Sequence, residues 1–134
     1  MSTHKKVRVR DVMTNNYAVI DGLTTVKEGI QLARSHEVKA LVVNKRNEDD
    51  EYGLVLMNDI AKKVLAQNRS PDRTNIYEIM TKPALSVDPD MNVKYCARLF
   101  ERFGISRAPV IEAGKIIGMV SYNNIVINGM VHDD

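Results

Sequence analysis

The chain has 134 residues, 44% hydrophobic and 27% charged, with nineteen Lys and Arg against seventeen Asp and Glu. That length fits one compact domain or two small subdomains, and the apolar fraction excludes wholesale disorder. A formal charge of +2 with no dominant basic cluster argues against a protein built on phosphate-backbone contacts.

Along the chain, Tyr17 to Ile20 reads as a short strand closed by Asp21-Gly22. Thr24 or Thr25 caps a helix through Ser35, with Val26, Ile30 and Ala33 on one apolar face. Ala40 to Val43 and Gly53 to Met57 read as strands, separated by the polar run Lys45 to Glu51, a solvated hairpin loop. Asn58 then caps a helix carrying Ile60, Val64 and Leu65. Gln67 to Asn75 is a linker by composition. After it, Leu85 to Val87 is a strand and Asp88-Pro89-Asp90 a turn. Asn92 caps a helix whose Val93, Cys96, Leu99, Phe100 and Phe103 face the core, and Gly104 ends it as a left-handed cap. Ala108 to Ile111 and Ile116 to Ser121 form a hairpin, and a last helix begins near Asn123.

The second series repeats the first. Val9-Arg10-Asp11-Val12-Met13-Thr14 matches Ile76-Tyr77-Glu78-Ile79-Met80-Thr81 at an offset of 67 residues. The same offset pairs Asp21 with Asp88, Val26 with Val93, Lys27 with Lys94, Leu32 with Leu99, and Val43 with Val110. It falls to 65 after the hairpin loop, where Gly53 meets Gly118, Val55 meets Val120 and Ile60 meets Ile125. The fold class is therefore α+β: two tandem β-α-β-β-α repeats packed with pseudo-two-fold symmetry around one core. Its parts are a tail at 1–8, repeat one at 9–67, a linker at 68–75, repeat two at 76–131 and a tail at 132–134.

Other signals are sparse. Cys96 stands alone, which suits a reducing, cytoplasmic setting. His4, His36 and His132 are scattered without metal-ligand spacing, so no metal is expected. No apolar run reaches the roughly 18–20 residues of a membrane span, and no apolar stretch follows the polar start as in a secretory signal. Walker, Rossmann, G-x-S-x-G and H-E-x-x-H patterns are absent, and no catalytic residues are assigned. Lys5, Lys6, Arg8 and Arg10 could track phosphate but equally form a solubility tail, so nucleic acid is not the expected partner. Met13, Met80 and Met119 read as core filler and Cys96 as an inert buried thiol.

The paired V-R-D-V-M-T and I-Y-E-I-M-T openings, the S-R-A-P-V run (106–110) and the G-h-x-S-x-x-N run (118–124) resemble a tandem pair of CBS domains. Such a pair is a Bateman module, here of the stand-alone bacterial type. The resemblance implies a regulatory module, not an enzyme, with an adenosine-containing nucleotide in the cleft between repeats. AMP, ADP or ATP are the candidate ligands ahead of NAD or S-adenosylmethionine, and no cofactor is required. It also implies a homodimer through the helices and signalling to a regulated partner. Carried over by motif, the nucleotide-binding candidates are Arg107, Pro109, Gly118, Ser121 and Asn124, with Asp59, Gly53 and Lys39 for the other cleft. Two departures stand out: Leu56 replaces the hydroxyl of the first repeat, and Asn124 replaces the acidic ribose partner of the second. Ser121 and Asn124 could equally serve as helix caps, and the alternative function is a ligand-free dimeric scaffold.

Overall fold

The computed structural model describes residues 6–130; Lys5, His4, His132 and the two tail ends lie outside them. In chain order the elements are α1 (Val9–Val12), β1 (Ala18–Ile20), α2 (Val26–His36), β2 (Ala40–Val43), β3 (Gly53–Leu56) and α3 (Met57–Ile60). A π-helical turn, Ala61–Leu65, prolongs α3, and a 3-10 turn spans Ile76–Glu78. Then follow α4 (Val93–Phe103), β4 (Arg107–Glu112), β5 (Lys115–Ser121) and α5 (Tyr122–Gly129).

The compact units do not follow the order of the repeats. Residues 16–84 form one unit, and residues 85–130 form the other together with 6–15. Each unit has thus received the opening segment of the other repeat. In the 16–84 unit, Val26 N–H donates to Thr74 O, Ile76 N–H to Thr24 O and Tyr77 N–H to Gly22 O, at 2.8 to 3.0 Å. In the other unit Val93 N–H donates to Val7 O, Val9 N–H to Met91 O and Arg10 N–H to Pro89 O, at 2.8 to 3.0 Å. Each pair of bonds is related by the same 67-residue offset, so the repeat seen in the sequence is also a repeat of bonds. The Val26 and Val93 bonds answer the first orphan N–H groups of α2 and α4, which have no partner within their own helices. The segment 67–75 is therefore docked rather than a loose linker: Thr74 is 2% exposed, and its hydroxyl donates to Ser70 O at 2.7 Å.

The unit 16–84 holds a sheet in the order β1-β2-β3, with β1 parallel and β3 antiparallel to β2. Thr25 caps α2, accepting from Glu28 N–H while the Glu28 carboxylate accepts from Thr25 N–H. That bond to Thr25 lowers the Glu28 carboxyl below its ordinary range. The inner face of α2 is Val26, Gly29 and Ala33, whereas Ile30 is 37% exposed. Gly29 takes the core position because Ile76 Cδ1 would lie 3.0 Å from any Cβ there. Helix α3 starts at Met57, one residue ahead of the expected Asn58 cap, and the exposed Leu65 faces away from the core.

The second unit pairs β4 with β5 through a two-residue turn in which Ala113 and Gly114 both have positive φ. The expected strand at Leu85 to Val87 reduces to one parallel bridge, Val87 to Val110. Asn92 caps α4 and Gly104 ends it at φ 65°. Cys96 and Phe100 are fully buried, but Phe103, expected inside, is exposed. Burial pushes the Cys96 thiol up to about 11, which keeps it protonated and unreactive. The buried apolar residues form two clusters, one centred on Leu41, Val55 and Ile76, the other on Phe100, Val110 and Val120.

The M-T dipeptides explain two glycines. A Cβ on Gly118 would stand 2.7 Å from Met13 Sδ, and one on Gly53 would stand 2.6 Å from Met80 Sδ. Next to each methionine, Thr14 bridges Met119 and Thr81 bridges Leu54, adding one residue to each sheet edge. Gly118→Ala is expected to cost about 1–3 kcal/mol by overpacking. Removing the methionine side chain as well should recover part of that loss, a coupling that a double-mutant cycle on urea midpoints will measure.

The hairpin loop after β2 is more than a solvated connection. The Asp50 side chain is 8% exposed and accepts from Lys82 Nζ at 2.8 Å and from Arg46 Nε at 3.0 Å. Lys82 first, then Arg46, holds the Asp50 carboxyl far below its ordinary value of 3.8. A carboxyl lowered in the folded state stabilises it fully above the unfolded value and progressively less as pH falls below it. Asp50→Asn should therefore lower the melting temperature at pH 7, with the gap to the wild type narrowing as pH drops from about 4 towards 2.

Candidate functional site

The end of the β4–β5 hairpin brings three of the expected residues together. Arg107 opens β4 and pairs with Ser121, the last residue of β5. Ser121 is also the N-cap of α5: its Oγ accepts from Asn124 N–H at 3.1 Å and donates to Asn124 Oδ1 at 2.9 Å. Asn124 Oδ1 further accepts from Ser121 N–H at 3.2 Å. Tyr122 N–H donates to Ser106 O, fastening the start of α5 to the residue before Arg107. Among the described residues the Arg107 guanidinium has no ion pair or hydrogen bond, and it is half-buried. The group therefore comprises an uncommitted cation, a hydroxyl and an amide beside the first-turn N–H groups of an eight-residue helix. Its capping role is real, since serine and asparagine satisfy each other through it.

Pro109 and Gly118 lie further along the same strands. Pro109 pairs with Met119, and its carbonyl accepts from Val87 N–H on the outer side. Its missing N–H is tolerated because that side of β4 meets only the Val87 bridge. Gly118 pairs with Val110, three residues from Ser121 and so roughly 10 Å along the strand. It receives Met13, which accounts for it through packing.

The unit 16–84 repeats this plan with losses. The Asp59 carboxylate accepts from Leu56 N–H at 2.9 Å, the counterpart of Asn124 on Ser121, but Leu56 provides no hydroxyl. Met57 N–H donates to Lys39 O, so Lys39 and Asp59 share one end of the unit. Ala40, the strict counterpart of Arg107, is fully buried, which leaves Lys39 as the available cation there. Gly53 sits at the far end of β3 opposite Val43.

A cavity of about 930 Å³ opens elsewhere in this unit, beside the carboxyl ends of β1 and β2, among Val19, Leu23, Lys45, Arg46, Tyr77 and Lys82. Tyr77 belongs to the second opening segment and Lys45 and Arg46 to the hairpin loop, but the sequence reading assigned no site to them. Among the described residues no group of three or more His, Cys, Asp or Glu could hold a metal. No helix there is long and apolar enough to cross a membrane.

Two copies of one β-α-β-β-α plan, each completed by the other's opening segment, define a tandem-repeat module. The CBS domain family model matches residues 9–66 and 76–128, and the chain belongs to that family. It is 26% identical to the CBS domain-containing protein YhcV of Bacillus subtilis, over 93% of this chain and 87% of that one. Homoserine O-acetyltransferase of Methanocorpusculum labreanum is 30% identical over 121 residues, but the chain spans only 24% of its length. Among solved structures, the hexameric CBS-CP12 protein from bloom-forming cyanobacteria superposes with a TM-score of 0.88 at 37% identity, covering 91% of this chain and 67% of that one. A CBS domain pair in complex with 5-methylthioadenosine and S-adenosyl-L-methionine shares the fold, with a TM-score of 0.77 at 24% identity, covering 91% of this chain and 94% of that one.

The cap geometry sets a direct test. Ser121→Ala removes one hydroxyl and should cost about 1 kcal/mol of stability. Ser121→Thr keeps the oxygen and should retain most of it, as denaturant midpoints will show.

Proposed function

We propose that this chain is a regulatory module that binds an adenosine-containing nucleotide, AMP, ADP or ATP, at the strand-to-helix turn of Arg107, Ser121 and Asn124. The observation that supports the reading is the pairing of Arg107, whose guanidinium makes no ion pair among the described residues, with Ser121, the N-cap of α5. Arg107 would hold phosphate, aided by the Ser121 hydroxyl and the N–H groups of α5. Asn124 would accept from a ribose hydroxyl through its Oδ1, exchanging its present bonds with Ser121 for bonds to the sugar. Lys39 and Asp59 are the corresponding pair in the unit 16–84. Pro109, Gly118 and Gly53 serve this site indirectly, by shaping the strands that carry the polar residues.

These groups are hydrogen-bond donors and acceptors placed to hold a ligand, with no nucleophile–base pair among them. The reading is therefore of a binding module and not a catalyst, working in a reducing, cytoplasmic setting with no required cofactor. Occupancy would act on a regulated partner through whichever arrangement of the module the ligand binds more tightly. The family supports this choice of ligand class, since one of the structures sharing the fold holds two adenosine compounds.

A second reading, a ligand-free dimeric scaffold, has its own observation. Val126, Ile127 and Met130 at and after α5, with Phe103 on α4, are between 50% and 68% exposed. Such apolar side chains suit a homodimer formed through helices.

Thermal-shift measurements with AMP, ADP, ATP, NAD and S-adenosylmethionine separate the two. A ligand at a hundred times its Kd stabilises the fold by about 2.7 kcal/mol, which moves the melting temperature by several degrees. We expect a rise with one of the adenine mononucleotides, lost in Arg107→Ala and strengthened in Asn124→Glu at the ribose position. Flat curves at millimolar ligand, with the chain sedimenting as a dimer, would establish the scaffold instead.

A further inference from the structure

The charge of the chain is unevenly shared between its two units. Among the described residues, 16–84 carries ten Lys and Arg against ten Asp and Glu, whereas 6–15 with 85–130 carries eight against five. Helix α4 concentrates that excess. Its Lys94, Arg98 and Arg102 recur at four-residue spacing, which sets them on one face about 6 Å apart along the axis. All three are exposed, and among the described residues none forms an ion pair. At the 67-residue offset their counterparts on α2 are Lys27, Gln31 and Ser35, and Lys27 is paired with Asp72. One copy of the helix thus carries a single answered charge, and the other carries three unanswered ones. Like charges four residues apart weaken a helix, so folding does not account for the stripe.

The carboxylates of this unit are engaged elsewhere or outnumbered. Asp90 and Glu112 both accept from Arg10, at 2.9 Å each. Asp11 accepts from Arg8 N–H and Asp88 from Asp90 N–H, each within its own turn. Glu101 is the one carboxylate on α4, against the three cations of the stripe. Beside the start of α4 a groove of about 900 Å³ separates that helix from α5. Val93, Ala97, Ile125 and Met130 give it apolar walls, while its charged residues are Lys6, Arg8, Lys94 and Asp90. The bond from Val93 N–H to Val7 O brings Lys6 and Arg8 to this place. Arg8 Nη1 donates to the main-chain oxygen of Asp90 at 2.7 Å, which positions the guanidinium without neutralising it. Five cations therefore run from an apolar groove along an exposed helix.

We propose that this face is a docking surface for an acidic amphipathic helix of a partner protein. Its apolar side chains enter the groove between α4 and α5, and its carboxylates lie along Lys94, Arg98 and Arg102. Carboxylates four residues apart on a helix match the repeat of the stripe itself. Nucleic acid suits the face less. The groove is apolar, and the ring that lines it, Tyr95, has the Arg98 guanidinium 5.4 Å from its centre instead of a free stacking face. A second copy suits it less too, because a two-fold contact sets the stripe against itself and 16–84 has no acidic excess to receive it. The inference stands whether or not a nucleotide binds at Arg107.

The probe is a fluorescently labelled helical peptide with glutamate at every fourth position and leucine on the adjoining face, titrated with the full chain and followed by polarisation. Binding should saturate and weaken as sodium chloride is raised. Arg98→Gln with Arg102→Ser restores the side chains of the other copy at two exposed positions, and should weaken binding about fivefold or more. Met130 is 68% exposed, so Met130→Gln removes an apolar wall at no change of charge, and should weaken binding about threefold. Arg34→Gln with Lys62→Gln takes the same charge from exposed positions of 16–84, and should leave the affinity within about twofold. Melting temperatures of the variants confirm that each is folded. The proposal is overturned if the peptide does not bind saturably, if the α4 pair binds it as the wild type does, or if the control pair weakens it equally. It is overturned as well if a single-stranded oligonucleotide of equal charge binds more tightly, or if dimerisation of the chain expels the peptide.

Discussion

The structure depends on backbone hydrogen bonds between each helix start and an opening segment from the other repeat. A helix leaves its first N–H groups unpaired, and burial makes that costly. Here Thr74 answers α2 and Val7 answers α4, and the strands that follow are placed by the same docking. The methionine of each M-T dipeptide then drops onto a glycine in the strand opposite, and the threonine extends the sheet. Removing the opening segment would uncover a helix end, a glycine groove and a sheet edge together.

Much of this plan was legible in the sequence because it follows local rules. Thr25, Asn92 and Gly104 occupy the cap positions their chemistry favours, and the hairpins fall where polar turns interrupt β-branched runs. The exchange of opening segments was not legible, since periodicity describes which residues belong to a repeat and not which unit they pack in. Ile30 and Phe103, expected on apolar faces, are exposed for a related reason. Their spacing fits an apolar helical face, but these short helices bury only a narrow stripe, and a glycine serves where the opposing isoleucine comes close. At the candidate site, β4 pairs Arg107 with Ser121, and Ser121 with Asn124 caps α5. The two glycines of the same motif turn towards methionine instead.

Duplication also shows where the two copies are held to the same chemistry and where they are free to diverge. The methionine seats on Gly53 and Gly118 and the backbone bonds to the opening segments recur in both, whereas the cap residues differ. Positions at the carboxyl ends of β1 and β2 differ in charge, size and polarity from their counterparts. The ion-paired Arg10 in one copy and Tyr77 in the other sit on equivalent backbones with opposite local electrostatics. A motif search tuned to conserved letters passes over such places. Comparison of the chain with itself brings them out.

The exchanged openings bear on the order in which the chain can be completed. Residues 16–84 are contiguous, so that unit has all its parts once residue 84 has left the ribosome. The other unit is built from both ends of the described chain. Its first-made residues, Val7 to Thr14, must wait through the synthesis of more than seventy others for Met91, Val93 and Met119. Until then Val9, Val12 and Met13 are apolar residues without their eventual neighbours on a nascent chain. Lys6, Arg8, Arg10 and Asp11 interleave with them, so the apolar residues of that segment do not form a continuous run.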